Sequence, residues 1–158
     1  MIPEFLKNVD EKTLVLFDMD GVLAEFIAGE NARIRRGEDD TYINKRPVSH
    51  MINIAKQLSE EKNLTVGVLS SCCTENQKAE KLSWLKKHAP FLLSDYTFIL
   101  VWNNLNYTKE NKSYAKAHTM QGIRGFEKIH LIDDRHDVIS ATNELIPDTA
   151  HHLIEFIE

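Results

Sequence analysis

Five short apolar runs, separated by more polar stretches, are the feature of this sequence that most restricts its fold. The runs are TLVLF, LTVGVL, TFILV, KIHLI and HHLIEF, at 13–17, 64–69, 97–101, 128–132 and 151–156. Most are continuous rather than alternating between apolar and polar residues, a pattern typical of strands that are covered on both faces. The runs therefore predict about five buried strands.

Helical patterns occupy stretches between these runs. Residues 47–61 repeat apolar side chains at helical spacing, and residues 74–88 begin with Thr74 and Gln77, a capping-box pair. Residues 108–119 and 136–146 are also predicted to be helices. Strands that alternate with helices indicate an α/β fold, in which a parallel sheet lies between two layers of helices. The length of 158 residues fits a single domain of this Rossmann-like class, residues 1–158.

Charge and cysteine content narrow the classes of function. The formal net charge of -5 provides no overall basic field that would attract nucleic acid or an acidic membrane. The first residues do not resemble a signal peptide, and no apolar run approaches the roughly 18 residues of a membrane span. Cys72 and Cys73 are adjacent, which is a poor arrangement for a structural disulfide bond. We therefore expect a cytoplasmic protein.

Polar side chains follow three of the predicted strands. They are Asp18 and Asp20 after the first run, Ser70 and Ser71 after the second, and Asp133 and Asp134 after the fourth. The carboxyl ends of parallel strands meet at one edge of a sheet, where ligands bind. Any one of these endings would also fit a solvated turn or a helix cap. Three endings of matching chemistry favour a catalytic crevice.

These groups suit phosphoryl transfer through a covalent carboxyl phosphate. A carboxylate such as Asp18 can attack phosphorus, and Mg²⁺ held by carboxylates can screen the two anions. A second carboxylate, Asp20, can protonate the leaving alkoxide and later activate water. The Ser70 hydroxyl and a lysine can bind the phosphoryl oxygens. Lys109 and Lys112, ahead of the fourth run, are the candidates for that lysine.

The same motifs resemble the haloacid dehalogenase superfamily. FDMDGVL is similar to its first signature, VGVLSS to its second and IHLIDDRHD to its acidic fourth. The resemblance implies that Asp18 is the nucleophile and a metal ligand. It implies that Asp20 is the general acid and base, with its carbonyl as a further ligand. The other implied residues are Ser70, Ser71 and Lys112 for the phosphoryl group, and Asp133 and Asp134 for Mg²⁺. Lys112 is preferred because ENKS is similar to the D-K-T of one subfamily, and Lys109 remains the alternative.

A narrower resemblance concerns the substrate. DMDGVLAEFIAG is similar to the opening motif of the 5′(3′)-deoxyribonucleotidase family, which removes phosphate from nucleoside monophosphates. The resemblance implies that Phe26 stacks on the nucleobase. The alternative is that Phe26 packs beneath its own loop. We expect a small phosphorylated substrate, in particular a nucleotide.

The chain departs from that family between its first two motifs, where there are too few residues for a helical cap domain. Residues 22–46 are expected to form a short flap instead. A second copy of the chain, in a homodimer, is an alternative source of a lid. The flap carries a basic cluster offset by acidic neighbours, which we interpret as a solvated surface. The cluster comprises Arg33, Arg35, Arg36, Lys45 and Arg46.

Other classes of function remain as alternatives. A phospho-accepting receiver domain carries similar groups, but its phosphorylated aspartate lies mid-chain, where LTVGVLSS has none. A non-catalytic binding protein would not need the whole set of acids. Among enzymes, phosphatases of sugar phosphates or of nucleic-acid 3′-phosphate ends are the alternatives to a nucleotidase.

Overall fold

A computed structural model of the chain describes residues 2–27 and 42–157. Its centre is a sheet of five parallel strands in the order β3-β2-β1-β4-β5. The strands are β1 (Thr13–Phe17), β2 (Thr65–Cys72), β3 (Thr97–Val101), β4 (Lys128–Asp133) and β5 (Ala150–His152). The predicted parallel α/β sheet is therefore confirmed.

In the part of the chain that the structure describes, four α-helices cover the two faces of the sheet. They are α1 (Ser49–Glu60), α2 (Glu75–His88), α3 (Ala115–Gln121) and α4 (His136–Leu145). Alternate residues of β1 point to opposite faces. Val15 and Phe17 belong to one apolar cluster, which includes residues of α1 and α2. Leu14 and Leu16 belong to a second cluster, which includes residues of α3 and α4. Both faces of β1 are thus buried, as its continuous apolar run predicts.

Several boundaries differ from the sequence prediction. The second strand runs to Cys72, so Ser70 and Ser71 lie within it and not after it. The fifth run is a strand only as far as His152, after which Leu153–Phe156 forms a 3-10 turn. The His152 side chain accepts a hydrogen bond from the Ile154 N–H, and the turn places Phe156 in the core. The helix predicted at 108–119 begins with a 3-10 turn at Lys112–Tyr114, and α3 follows it.

Three further expectations concern the flap, the two cysteines and membrane-spanning helices. Residues 28–41, which make up most of the predicted flap and include Arg33, Arg35 and Arg36, lie outside the described residues. Cys72 and Cys73 are both free thiols. Within residues 2–27 and 42–157, no helix is long and apolar enough to cross a membrane.

Candidate active site

Three carboxylates meet at the carboxyl edge of the two adjacent strands β1 and β4. Asp18 follows β1, and its N–H donates to the Ile132 carbonyl at 2.9 Å, which continues the pairing with β4. Asp133 is the last residue of β4, and Asp134 follows it. One carboxylate oxygen from each of Asp18, Asp133 and Asp134 lies within 4.8 Å of the others. The structure therefore brings together the acids that the sequence places on separate strands.

A tight turn after β1 fixes the backbone beside these acids. The Met19 carbonyl accepts hydrogen bonds from the N–H groups of three later residues, Val22, Leu23 and Ala24, at 2.9 to 3.1 Å. Gly21 within this turn has φ +79, a conformation that other residues adopt only with strain. A Cβ atom there would lie 2.2 Å from Asp134 Oδ2. Gly21 thus allows the turn to approach the Asp134 carboxylate closely.

Lys116 lies between two of the carboxylates. Its Nζ is 3.0 Å from Asp18 Oδ1 and 2.7 Å from Asp133 Oδ2, and all three side chains are buried. Burial acts to lower the pKa of Lys116, but the charges of Asp18 and Asp133 outweigh burial and raise it. Lys116 is therefore a cation that neutralises part of the acidic cluster.

Burial and the repulsion between neighbouring carboxylates raise the pKa values of two of these acids. Burial, reinforced by the charge of Asp133, raises the pKa of Asp18 to about 7. The same two causes raise the pKa of Asp134 to about 6. A divalent cation among these oxygens would hold both groups ionised. Three carboxylates without nitrogen or sulfur donors are the kind of ligand set that suits Mg²⁺, so the residues present fit this ion.

Lys81 links the second strand of the site to Asp20. Its ammonium donates to Ser70 Oγ at 2.8 Å, to the Ser71 carbonyl at 2.7 Å and to Asp20 Oδ2 at 3.0 Å. Lys81 is buried although it comes from the middle of helix α2. The side chains of Ser70, in β2, and Asp20, in the turn after β1, thus reach the same cation.

Lys45 contacts the other oxygen of Asp20. Its Nζ lies 2.5 Å from Asp20 Oδ1, and the residue is only 3% exposed. The interpretation of Lys45 as part of a solvated surface is therefore wrong, whereas Arg46 is exposed. Burial acts to raise the pKa of Asp20, but the charges of Lys81 and Lys45 outweigh it and lower the pKa to about 2.

The two lysines predicted for the phosphoryl group and the aromatic residue predicted for the base lie on the surface. Lys112 is exposed, with its Nζ 4.6 Å from the centroid of the Trp102 ring, and Lys109 is exposed as well. The lysine that contacts Asp18 is Lys116, four residues further along the chain. Phe26 is 61% exposed. It therefore does not pack beneath its own loop, and its role as a stacking partner stays a prediction.

The sequence analysis missed Lys81 and Lys116 and misinterpreted Lys45. One signal for Lys81 was present, because it falls on the buried stripe of α2 at helical spacing from its buried neighbours. That stripe consists of Gln77, Lys81, Trp84 and Leu85. Lys116 likewise precedes buried Met120 by four residues. A lysine at an apolar position of a helix indicates a buried anionic partner.

Comparison with known proteins adds a likeness of fold. Neither a protein-family model nor a curated protein matches the chain. A structure of the Pnkp1/Rnl/Hen1 RNA repair complex contains a similar chain, with a TM-score of 0.62 and 18% identity over 89% of this chain. A second structure of a Pnkp1/Rnl/Hen1 complex gives a TM-score of 0.62 and 16% identity over 92%. This chain spans 42% and 47% of those two chains, less than half of each. At these identities the likeness shows a shared fold.

Proposed function

We propose that this protein is a magnesium-dependent phosphomonoester hydrolase of the haloacid dehalogenase type, with Asp18 as its nucleophile. The observation that carries the proposal is the cluster of Asp18, Asp133 and Asp134 within 4.8 Å at one sheet edge, with the buried Lys116 against it. Placing three carboxylates together in a largely buried position does not help the chain to fold, because like charges repel one another. The cluster makes chemical sense as a site that brings a phosphate to a carboxylate.

The proposed metal ligands are Asp18, Asp133, Asp134 and the carbonyl of Asp20. When bound, Mg²⁺ supplies positive charge that offsets the repulsion between an anionic nucleophile and an anionic substrate.

The residues divide the reaction into two displacements. An oxygen of Asp18 attacks phosphorus, forming an acyl phosphate as the bond to the leaving alkoxide breaks. Lys116 donates to Asp18 Oδ1, so it holds the carboxylate in a fixed orientation while the other oxygen attacks. Lys81 and the Ser70 hydroxyl lie together at the end of β2 and would bind the transferred oxygens. Water then attacks the phosphorus of the acyl phosphate and restores the Asp18 carboxylate.

Asp20 would give a proton to the leaving oxygen and take one from the attacking water. Both of its oxygens contact an ammonium, from Lys45 and Lys81, and these contacts hold its pKa at about 2. An acid with that pKa is ionised at neutral pH. Asp20 can therefore donate a proton only after an incoming phosphate has drawn at least one of the two lysines away from it.

A nucleoside monophosphate is the proposed substrate, since the exposed ring of Phe26 is free to stack on a base. The second candidate is a phosphorylated nucleic-acid end, which the likeness to chains of an RNA repair complex favours.

The test of the proposed reaction is hydrolysis of p-nitrophenyl phosphate with and without Mg²⁺. We expect turnover that requires Mg²⁺ and that is lost in Asp18→Asn. The matched control is Asp95→Asn, an exposed acid ahead of β3, which should keep wild-type turnover. Full activity in Asp18→Asn would refute the proposed nucleophile. Stable labelling by acetyl phosphate without turnover would instead indicate a receiver domain.

The substrate is decided by phosphate release from three classes of compound. These are nucleoside monophosphates, sugar phosphates and 3′-phosphorylated oligonucleotides. The class with the highest kcat/KM identifies the substrate, and a sugar phosphate in that place would contradict the proposed nucleotide substrate.

A further inference from the structure

Lys45 is a buried cation whose role in the proposed reaction so far is limited to its contact with Asp20. Lys116 contacts the nucleophile, and Lys81 is tied to Ser70 and Ser71 at the end of β2. Lys45 instead reaches Asp20 through the other carboxylate oxygen, Oδ1. It also belongs to a different part of the chain, residues 42–47, which lead into helix α1.

Several contacts fix the position of Lys45. Its carbonyl accepts a hydrogen bond from the Trp84 indole N–H at 2.9 Å, and its own N–H donates to the Tyr42 carbonyl at 3.0 Å. The Tyr42 ring lies 4.7 Å from the ammonium of Lys45 and 5.0 Å from that of Lys81. An aromatic face attracts nearby ammonium groups electrostatically. The fold therefore keeps Lys45 beside Asp20.

The backbone next to Lys45 is also joined to the segment that follows the β1 turn. The Glu25 N–H donates to the Arg46 carbonyl at 2.9 Å, and the Arg46 N–H donates to Glu25 Oε1 at 3.0 Å. Residues 42–47 are thus held against the same turn that carries Asp20.

The position of Lys45 relative to the reaction follows from the role of Asp20. A general acid must face the leaving oxygen, and Lys45 lies against that acid. Two ammonium groups, those of Lys45 and Lys81, share the single carboxylate of Asp20, so this side of the site is attractive to a further anion. A leaving group with its own phosphate would bring a second anion to this side of the site, within reach of a long side chain.

We propose that Lys45 binds a second phosphate on the leaving group, one sugar away from the phosphate that is removed. Lys45 then narrows the proposed substrate class: a nucleotide phosphorylated at both ends of the sugar, or a phosphorylated polynucleotide end, reacts faster than the nucleoside monophosphate that carries only the scissile phosphate. This inference rests on the proposed phosphohydrolase function. Lys45 takes part in no covalent step, and it acts by binding and orienting the substrate.

The test is a ratio of kcat/KM values, for a nucleoside 3′,5′-bisphosphate against the corresponding monophosphate that carries only the scissile phosphate. In the wild type we expect a ratio of about ten or more, as one charge-assisted hydrogen bond provides. Lys45→Met should bring the ratio close to one, and Lys45→Arg should retain part of it. The matched control, Lys86→Met, removes an exposed lysine at the far end of α2 and should keep the wild-type ratio.

The ratio does not depend on how much of a variant is folded, because both rates refer to the same enzyme sample. A wild-type ratio near one, or a Lys45→Met ratio equal to that of the wild type, would overturn the role of Lys45. A phosphorylated dinucleotide separates the two sources of the second phosphate. A higher kcat/KM for it than for the bisphosphate indicates a polynucleotide end, and a lower value indicates a nucleoside bisphosphate.

Asp18→Asn separates failure of this inference from failure of the proposed function. If Asp18→Asn is active, the proposed function is wrong and the role of Lys45 falls with it. If Asp18→Asn is inactive and the ratio does not depend on Lys45, only the inference about the second phosphate is wrong.

Discussion

Replacing Gly21 with alanine tests whether the turn after β1 fixes the position of Asp134. Gly21 has φ +79, and a Cβ atom would lie 2.2 Å from Asp134 Oδ2 and 2.7 Å from Asp134 Cγ. The substitution therefore adds backbone strain and forces the carboxylate to move. Both effects occur beside a group proposed to bind the metal.

Two other glycines separate the two effects. Gly125 also has a positive φ, +97, but a Cβ there meets nothing within 4 Å, so Gly125→Ala introduces strain alone. Strain of this kind costs about 1–3 kcal/mol. At Gly122, where φ is negative, a Cβ would lie 3.4 Å from the Thr119 carbonyl, an ordinary contact. Gly122→Ala should therefore change the free energy of unfolding by less than about 1 kcal/mol.

Gly21→Ala should lower the free energy of unfolding more than Gly125→Ala does. The difference should equal the cost of forcing an atom into a packed place, about 1–3 kcal/mol. Urea unfolding of the three variants measures these differences. Gly21→Ala alone should also raise the Mg²⁺ concentration needed for half-maximal hydrolysis of p-nitrophenyl phosphate. Equal unfolding of Gly21→Ala and Gly125→Ala, with an unchanged Mg²⁺ requirement, would refute the reasoning.

Two further predictions concern other ionisable groups. Asp20→Asn removes the proposed proton donor, so kcat for alkyl phosphates should fall by about 10²–10⁴-fold. With p-nitrophenyl phosphate, whose leaving group needs no proton, rapid mixing should still show a first-turnover burst, and its absence would argue against the assigned role. Burial, with the charges of His151 and Lys128, lowers the pKa of His130 to about 4 from 6.5. The unfolded chain therefore takes up this proton first as pH falls, and stability is lost between about pH 6.5 and pH 4. From pH 7 to pH 5, the wild type should lose about 2 kcal/mol more unfolding free energy than His130→Gln, by denaturant titration, and equal losses would contradict the assignment.

The sheet was predictable because its strands correspond to apolar runs in the sequence. The bounds of β1 and β3 coincide with the runs TLVLF and TFILV. The third helix starts later than predicted, at Ala115. Before it, the Asn111 side chain accepts a hydrogen bond from the Thr108 N–H at 2.7 Å. Such local side-chain hydrogen bonds compete with helix formation and leave no trace in apolar spacing.

The acids of the site were predictable, whereas its cations were not. Asp18 and Asp133 stand at the ends of recognisable strands, so topology alone places them together. A lysine in a helix is usually solvated, and the chain has many of them. Whether Lys81 or Lys116 is buried depends on which anion faces it across the fold. Helical spacing marks both lysines as candidates for burial, but which anion each one faces depends on the packing of helices on the sheet, which pattern alone does not contain.

The most direct test of the central claim is to trap the phosphorylated enzyme. We expect acid quenching during turnover of a phosphoryl-labelled substrate with Mg²⁺ to leave label on the protein. The label should be released by hydroxylamine, as expected of an acyl phosphate, and should map to the peptide that contains Asp18. Two results would contradict the account. One is turnover without label on the protein, under conditions in which the account predicts that much of the enzyme is phosphorylated. The other is label on a different residue.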